Sequence, residues 1–467
     1  MIQLVQWRFG NRAARSRAAA ARRRDTARFQ HPGRVISLSF AMAIAAGTAL
    51  LSLPLATEGG ERATFLEALF TATSAVCVTG LIVVDTGSYW STFGEVVILV
   101  LIQAGGLGIM TLGTLVVVVL SRRLGLRARL IAQAQARTLS LQDVRRVVRN
   151  VVLFSLVSEV IVAVVLSTRF ALAYDSTVGA AIYNGAFHSI SAFNNAGFSL
   201  HVDSLVRYVH DPWILLTVAG AVILGGLGFP VVFELARAWR RPKTWSVTTR
   251  ITAVTTVILL VVATLIYIAV EYENPDTLGP FSAGSKLLAG FFTAVMPRTA
   301  GFNAIDTTAL RPESLLLTDV LMFIGGGSAA TAGGIKVTTF GLLAFMLWAE
   351  IRGEAGVEVG PRRVPARNQR EALAVALLGI GLVTVGTFTL LGLTTHSLDL
   401  VLFEVISALA TVGLSAGITA DLPDAGELLL IALMYIGRIG PLSVFSALAL
   451  RERTHLYQRP EEQTIVG

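Results

Sequence analysis

The stretch Phe70-Thr-Ala-Thr-Ser-Ala-Val-Cys-Val-Thr-Gly80-Leu81 recurs in outline three more times along the chain. A phenylalanine stands ten residues before a glycine at Phe70 and Gly80, Phe187 and Gly197, Phe291 and Gly301, and Phe403 and Gly413, and each glycine is followed by Leu81, Phe198, Phe302 or Leu414. A repeated pattern of this kind marks a repeated structural unit. Each block lies between two long apolar runs, so the unit is a helix, a short apolar segment ending at the glycine, an extended return and a second helix. The short segment, Ala68 to Val78 in the first unit, would be a helix of about 16 Å, roughly half a bilayer. It therefore reads as a re-entrant half-helix.

The surroundings of these blocks are those of a membrane protein. Of the 467 residues, 54% are hydrophobic and only 15% charged, and the mean hydropathy is +0.68. Too few charges are present to clothe a soluble globule. Runs such as Val35 to Leu55, Val96 to Leu120 and Leu373 to Leu393 reach the roughly 20 residues that cross a hydrocarbon core. The net charge of +8 gathers in five segments, Arg8 to Arg34, Arg122 to Arg149, Arg237 to Arg250, Arg352 to Arg370 and Arg451 to Arg459. By the positive-inside rule these are cytoplasmic, both termini included. The opposite connections hold Glu58, Glu61, Asp85, Asp175, Asp203, Glu271, Glu273, Asp276, Asp306, Asp421 and Asp424 and read as the outer face. The basic segments lack interleaved aromatics, so they carry topology and give no reason to expect a nucleic-acid partner. The single cysteine, Cys77, excludes an intramolecular disulfide and shows no metal-ligand spacing.

The expected fold is an all-α integral membrane protein. Four parallel repeats, each M1, pore half-helix and M2, surround a central pore, giving eight full transmembrane helices and four re-entrant half-helices. The divisions are a basic tail over 1–33, repeats over 34–121, 147–240, 247–352 and 371–450, and a C-terminal tail over 451–467. Every unit begins and ends on the basic side, so the repeats share one orientation and can encircle an axis along the membrane normal. Inverted-repeat transporters are built otherwise. Backbone that turns inside a membrane is tolerated only where protein buries it or where it lines water.

The turns themselves read Val78-Thr79-Gly80, Asn195-Ala196-Gly197, Thr299-Ala300-Gly301 and Thr411-Val412-Gly413. None has an acidic side chain, so any ligands must be backbone carbonyls. Glycine permits φ > 0 and lets successive carbonyls face one axis, which makes a cage of neutral oxygens suited to a desolvated alkali cation. Glu67 and Glu404 stand well before their glycines and read as buried hydrogen-bonding groups rather than pore contacts.

The second helix of each unit has its own glycine cluster: Gly105-Gly106-Leu-Gly108, Gly225-Gly226-Leu-Gly228, Gly325-Gly326-Gly327 and Gly437-Arg438-Ile-Gly440. Such clusters permit close packing or bending. In the third unit the cluster opens into Gly325-Gly326-Gly327-Ser328-Ala-Ala-Thr331-Ala-Gly333-Gly334-Ile-Lys336, which is too rich in glycine to remain a good helix. It fails the phosphate-loop spacing and reads as an intramembrane loop that gates the pore. Arg438 falls near the middle of its helix, where a charge costs at least about 2.5 kcal/mol, so it should face water, a carboxylate or freed carbonyls. An electrostatic barrier acting with the loop is the expected role.

The four turn sequences, Ser74-Ala-Val-Cys-Val-Thr-Gly-Leu81, Phe193-Asn-Asn-Ala-Gly-Phe198, Pro297-Arg-Thr-Ala-Gly-Phe302 and Ala410-Thr-Val-Gly-Leu414, resemble the four filters of the bacterial KtrB/TrkH potassium-transporter superfamily. With eight full helices the chain is more similar to KtrB than to TrkH, which has an extra N-terminal helix pair. The resemblance implies potassium uptake across the bacterial plasma membrane, with potassium as the transported ion and no covalent cofactor. It also implies a homodimer with a pore in each protomer and a KtrA-like cytoplasmic ring carrying the regulatory nucleotide. Sodium coupling varies within that superfamily. Anionic lipid is a second expected partner of the basic loops.

Parts of the sequence also fit other function classes. Gly413-Leu-Ser415-Ala-Gly417 matches G-x-S-x-G, but it overlaps the fourth copy of a repeat that elsewhere lacks the serine, and no strand precedes it, so catalysis is not expected. A secondary cation symporter with alternating access also uses broken helices, yet although Glu159 is an intramembrane carboxylate outside the half-helices, a proton relay usually needs several such groups together. Another monovalent-cation channel is the remaining alternative.

Overall fold

Apolar helices of two lengths alternate along the chain, and capping residues fix where the short ones begin. A computed structural model describes residues 32–121, 141–175, 177–354 and 356–450. The expected N-terminal tail over 1–31, most of the Arg122 to Arg149 segment and the tail over 451–467 lie outside the described residues. The helices are α1 (Pro32–Leu51), α2 (Phe65–Cys77), α3 (Thr92–Ser121), α4 (Leu141–Ala173), α5 (Val178–Phe193), α6 (Pro212–Leu227), α7 (Phe229–Ala238), α8 (Val247–Glu271), α9 (Ala283–Val295), α10 (Pro312–Phe323), α11 (Val337–Ile351), α12 (Ala366–Leu393), α13 (Leu398–Ala410) and α14 (Asp424–Leu450). A small hairpin, β1 (Glu358–Val359) and β2 (Arg362–Arg363), joins α11 to α12.

Each short helix, α2, α5, α9 and α13, follows a long one. Helix α2 starts at a capping box in which Thr64 Oγ1 accepts from the Glu67 N–H and Glu67 accepts from the Thr64 N–H, three residues before the expected Ala68. Thr177 and Ser282 cap α5 and α9 in the same way, each accepting from a backbone N–H three residues on. Satisfying these orphan donors matters most where water is scarce.

Among the described residues four helices are long and apolar enough to cross a membrane: Thr92–Thr111, Val148–Ala173, Val247–Glu271 and Ala366–Leu393. The pair α6 and α7 makes a fifth if its 101° bend lies within one span. The bend falls on Gly228, at φ +87, a conformation L side chains rarely adopt, and Pro230 cannot continue the hydrogen-bond ladder across it. Glycine alone does not break a helix here, because Gly105 to Gly108 and Gly437 to Gly440 lie within unbroken α3 and α14. Helices α10 and α11 are separated by the loop over 324–336.

The packing closes on itself. Helix α3 meets α4 and α5, α6 meets α9, α10 meets α13, and α14 returns to α1 and α2. The short helices are walled in by these neighbours: Phe70, Phe187 and Phe403 are fully buried. In the third group the buried ring is Phe292, whereas Phe291 is only half-buried. Helix α9 ends six residues before Gly301, while α2 and α13 end three residues before their glycines, so its last turn is set differently. The outward faces are apolar, with Leu153, Val160 and Val164 on α4, Val257, Ile258 and Val261 on α8, and Leu377, Val385 and Phe388 on α12 all exposed. Contiguous apolar surface on this scale requires a non-aqueous cover.

Candidate permeation site

The four short helices end in backbone that few L residues adopt. Val78, Asn195, Thr299 and Thr411, each two residues before its glycine, have φ of 55, 60, 69 and 51. Gly80, Gly197, Gly301 and Gly413 follow at 96, 72, 72 and 94. A left-handed non-glycine residue costs about 1–3 kcal/mol, more readily borne by Asn195 than by β-branched Val78, Thr299 and Thr411. Tertiary structure must over-determine the turns for this strain to persist.

Three turns share one lock. The Thr79 N–H donates to Ser74 O, the Ala196 N–H to Ser191 O and the Val412 N–H to Ser407 O, each at 2.8 Å. With the Val78, Asn195 and Thr411 N–H groups donating to Ala75 O, Ala192 O and Ala408 O, this is the Schellman pattern built without glycine at its left-handed position. The same serines then use their side chains. Ser74 Oγ accepts from the Gly80 N–H at 3.0 Å and Ser407 Oγ accepts from the Gly413 N–H at 3.1 Å, whereas Ser191 Oγ donates to Phe198 O at 2.7 Å. The third turn differs: Val295 occupies the serine position, Pro297 has no N–H to offer, and the Ala300 N–H donates to Met296 O at 3.0 Å.

The four glycines come together in a closed cycle. A Cβ built on Gly80 would fall within 3.0 Å of Ala196 O, one on Gly197 of Ala300 O, one on Gly301 of Val412 O, and one on Gly413 of Thr79 O. Each turn thus abuts the carbonyl of the next, and the cycle ends where it began. No side chain fits at any of the four places without displacing backbone. Thr79, Ala196, Ala300 and Val412, the residues whose carbonyls make these contacts, are all buried.

The chain is similar to known proteins in sequence and in fold. The family model described as "TrkH: Cation transport protein" matches residues 24–454. The chain belongs to this family. The Ktr system potassium uptake protein B of Vibrio alginolyticus is 40% identical over 446 residues, covering 95% of this chain and 97% of that protein. The protein of the same description from Bacillus subtilis is also 40% identical, over 93% and 97% of the two chains. The crystal structure of the potassium transporter TrkH from Vibrio parahaemolyticus superposes with a TM-score of 0.66 at 20% identity, covering 90% of this chain and 85% of that one, which is likeness of fold. The chain is accordingly a multi-pass membrane protein of a cation-transport family, whose relatives are transporters rather than enzymes.

The loop over 324–336 lies against the ring. Its ends are drawn together by the Gly325 N–H donating to Ile335 O at 2.8 Å and the Val337 N–H to Gly326 O at 2.9 Å. On one side the Gly327 N–H donates to Gly226 O at 2.7 Å, the Thr331 N–H to Gly225 O at 3.3 Å, and Thr331 Oγ1 to Asn195 Oδ1 at 3.0 Å. On the other, a Cβ on Gly333 would collide with Thr411 and Ala410 O, and one on Gly334 would press on Ala410. The loop is therefore held between the second and fourth turns. Ser328 Oγ pairs with Thr338 Oγ1 at 2.9 Å, and Lys336 Nζ turns back to donate to Ala332 O at 2.6 Å.

Arg438 is 4% exposed, and its Nη1 donates to Thr331 O at 2.6 Å across 107 residues of sequence. Among the described residues its Nε and Nη2 have no hydrogen-bond partner. A guanidinium with donors to spare, buried beside freed loop carbonyls, is costly unless those carbonyls accept from it.

Two features of the site are not visible in any motif. A Cβ on Gly105, Gly225 or Gly437 would collide with Val76 O, Phe193 O or Leu409 O, each the carbonyl four residues before the glycine of its own turn. These glycines seat the ends of α2, α5 and α13, while Gly325 receives Gly333 O from its own loop instead. The second feature is polar. Glu404 accepts from the Ser415 hydroxyl, from the Ala416 N–H at 3.0 Å and from the Thr419 hydroxyl at 3.0 Å, tying the return segment after Gly413 to α13 and engaging the serine of the G-x-S-x-G match. Glu67 instead serves the outer cap of α2 and accepts from Tyr89 at 2.9 Å.

Proposed function

We propose that the chain is the potassium-translocating subunit of a Ktr-type uptake system. Its four groups of helices would act as parallel repeats around one pore, with eight full spans and four half-helices. The Val78-Thr79-Gly80, Asn195-Ala196-Gly197, Thr299-Ala300-Gly301 and Thr411-Val412-Gly413 turns form its filter. The observation that carries this reading is the closed cycle of glycine-to-carbonyl contacts, because a ring of neutral backbone oxygens replaces the hydration shell of an alkali cation without needing an acidic side chain. The potassium uptake named for the two 40%-identical relatives supports the choice of ion.

In this reading the segment Gly325, Gly326, Gly327, Ser328, Thr331, Gly333, Gly334 and Lys336 is the gate, and Arg438 is its latch. The positive charge opposes a cation below the filter while its hydrogen bond to Thr331 O keeps the loop in place. A second copy of the chain and a cytoplasmic nucleotide-binding ring are the partners, with the basic segments meeting the ring or anionic lipid. Those segments include Arg237, Arg240 and Arg241 at the end of α7.

The test is potassium uptake in bacterial cells lacking their own potassium systems, with a regulatory subunit co-expressed and Gly301→Asp at equal membrane level as the comparison. Rescue by the native chain, with loss or changed selectivity in the variant, supports the filter. Failure of the inserted native chain to rescue under these conditions would remove the potassium assignment.

A further inference from the structure

The four turns contain no carboxylate, and the cationic side chains buried nearest to them oppose a passing cation. Arg438 is 4% exposed, and Arg298, next to Thr299, is 7% exposed with Nη2 donating to Thr256 Oγ1 at 3.2 Å and Nε unpartnered. A cation that leaves water for a ring of carbonyl dipoles beside two guanidinium groups needs negative potential from elsewhere.

Two buried carboxylates are hydrogen-bonded to segments that adjoin the ring. Glu159 on α4 is 5% exposed. It accepts from Gln103 Nε2 at 3.0 and 3.1 Å and from Asn194 Nδ2 at 3.2 Å, and Asn194 immediately precedes the left-handed Asn195. Asn194 Nδ2 also donates to Gln103 Oε1 at 2.8 Å, so an amide pair holds the carboxylate against the second turn. Glu404 is fully buried and bound to the segment just past Gly413, as described above. Among the described residues neither makes an ion pair. Their partners are amide N–H and hydroxyl groups that donate to the carboxylate oxygens and so offset part of what burial costs the charged form. The order of contacts, Gly80 to Gly197 to Gly301 to Gly413 and back, sets the second and fourth turns opposite each other. The segments that hold the two carboxylates therefore belong to opposite turns of the ring.

We propose that Glu159 and Glu404 are the fixed counter-charges of the cation path: they touch no ion, but their paired field from opposite sides sets how tightly the carbonyl ring holds one. The inference rests on the filter reading above and extends it from which atoms meet the ion to which charges make that meeting favourable.

The experiment is the potassium dependence of uptake for the native chain, Glu159→Gln, Glu404→Gln and the double variant, with Glu159→Asp and Glu404→Asp as charge-retaining comparisons. Potassium binding to the purified, detergent-solubilised proteins is measured in parallel by calorimetry, which does not depend on the gate. Each Gln variant is expected to raise the half-saturating potassium concentration about tenfold, equivalent to about 1.4 kcal/mol. The maximal rate should stay within about twofold, the double variant should shift further, and the Asp variants should recover most of the affinity. Unchanged affinity in the folded Gln variants overturns the inference while leaving the filter in place. Asp variants as impaired as Gln would overturn it too, since the role would then be packing. Should one Gln variant fail to fold, the other turn decides, because each is expected to give the shift alone. A native chain that neither binds nor takes up potassium would instead remove the filter reading.

Discussion

At the scale of single residues, the site is defined by where a Cβ is forbidden. Gly197 has φ +72 and no room beside Ala300 O, so Gly197→Ala combines backbone strain with a collision against a neighbouring turn. Uptake should fall at least tenfold at unchanged membrane level, read by rubidium or potassium flux. Ser74→Ala removes the acceptor of the Gly80 N–H and should cost about 1 kcal/mol locally. Its expected signature is milder, with uptake retained and sodium competing several-fold better against potassium. The glycines were legible in the sequence because only glycine answers both demands and the spacing repeats. Ser74 and Ser407 were not, since serine is common in apolar helices and only the folded turn reveals that its hydroxyl receives the glycine N–H. The expected equivalence of Phe291 with Phe70 does not extend to burial, because α9 ends early before Pro297 and Phe292 takes the buried place.

At the scale of elements, the helices α2, α5 and α13 are seated by glycines on their partners, whereas the corresponding Gly325 meets the loop instead of α9. Composition alone marked 325–336 as unable to stay helical, and it marked Arg438 as needing acceptors. What it could not supply was their meeting, since Thr331 and Arg438 lie 107 residues apart. Arg438→Gln should raise basal cation flux several-fold without the regulatory partner, as the charge and the hydrogen bond to Thr331 O weaken together. Thr331→Val, which gives up the hydroxyl contacts with Asn195 Oδ1 and Phe193 O but keeps the Thr331 carbonyl, should raise it less. Unchanged or lower flux in well-expressed Arg438→Gln would separate the arginine from gating. Gly105, Gly225 and Gly437 also show why a glycine cluster is an ambiguous signal: three of these helices carry one for close approach, and among the three only the second also bends, where Gly228 meets Pro230.

At the scale of the whole molecule, an apolar exterior surrounds an interior with buried threonines, serines and a few unpaired charges. Ile258 lies on the outward face of α8 and is 54% exposed, so it is expected to meet lipid. Ile258→Arg should cost roughly 2.5–3.5 kcal/mol in insertion and lower the membrane-inserted fraction, measured by carbonate extraction, while Ile258→Leu should not. Charge distribution and apolar runs made the membrane character readable from composition. The cycle of turns was readable from spacing. Glu159 escaped that reading as a neighbour of the second turn, because it lies on α4 and reaches the turn only through Gln103 and Asn194.

The ring made by Gly80, Gly197, Gly301 and Gly413 belongs to one polypeptide, which changes what a mutation can do to it. In an assembly of four identical chains every codon change is stamped on all quadrants at once. A guanidinium below such a ring would arrive as four charges, and a loop interrupting one wall would interrupt them all. Here a single codon alters a single quadrant. That freedom is visible in the third quarter, where Val295 replaces the locking serine, Arg298 stands beside the turn and a loop replaces part of a helix, and in the lone Arg438 of the fourth. With all four turns on one chain, each quarter of the ring can differ from the others without a matching change in the rest.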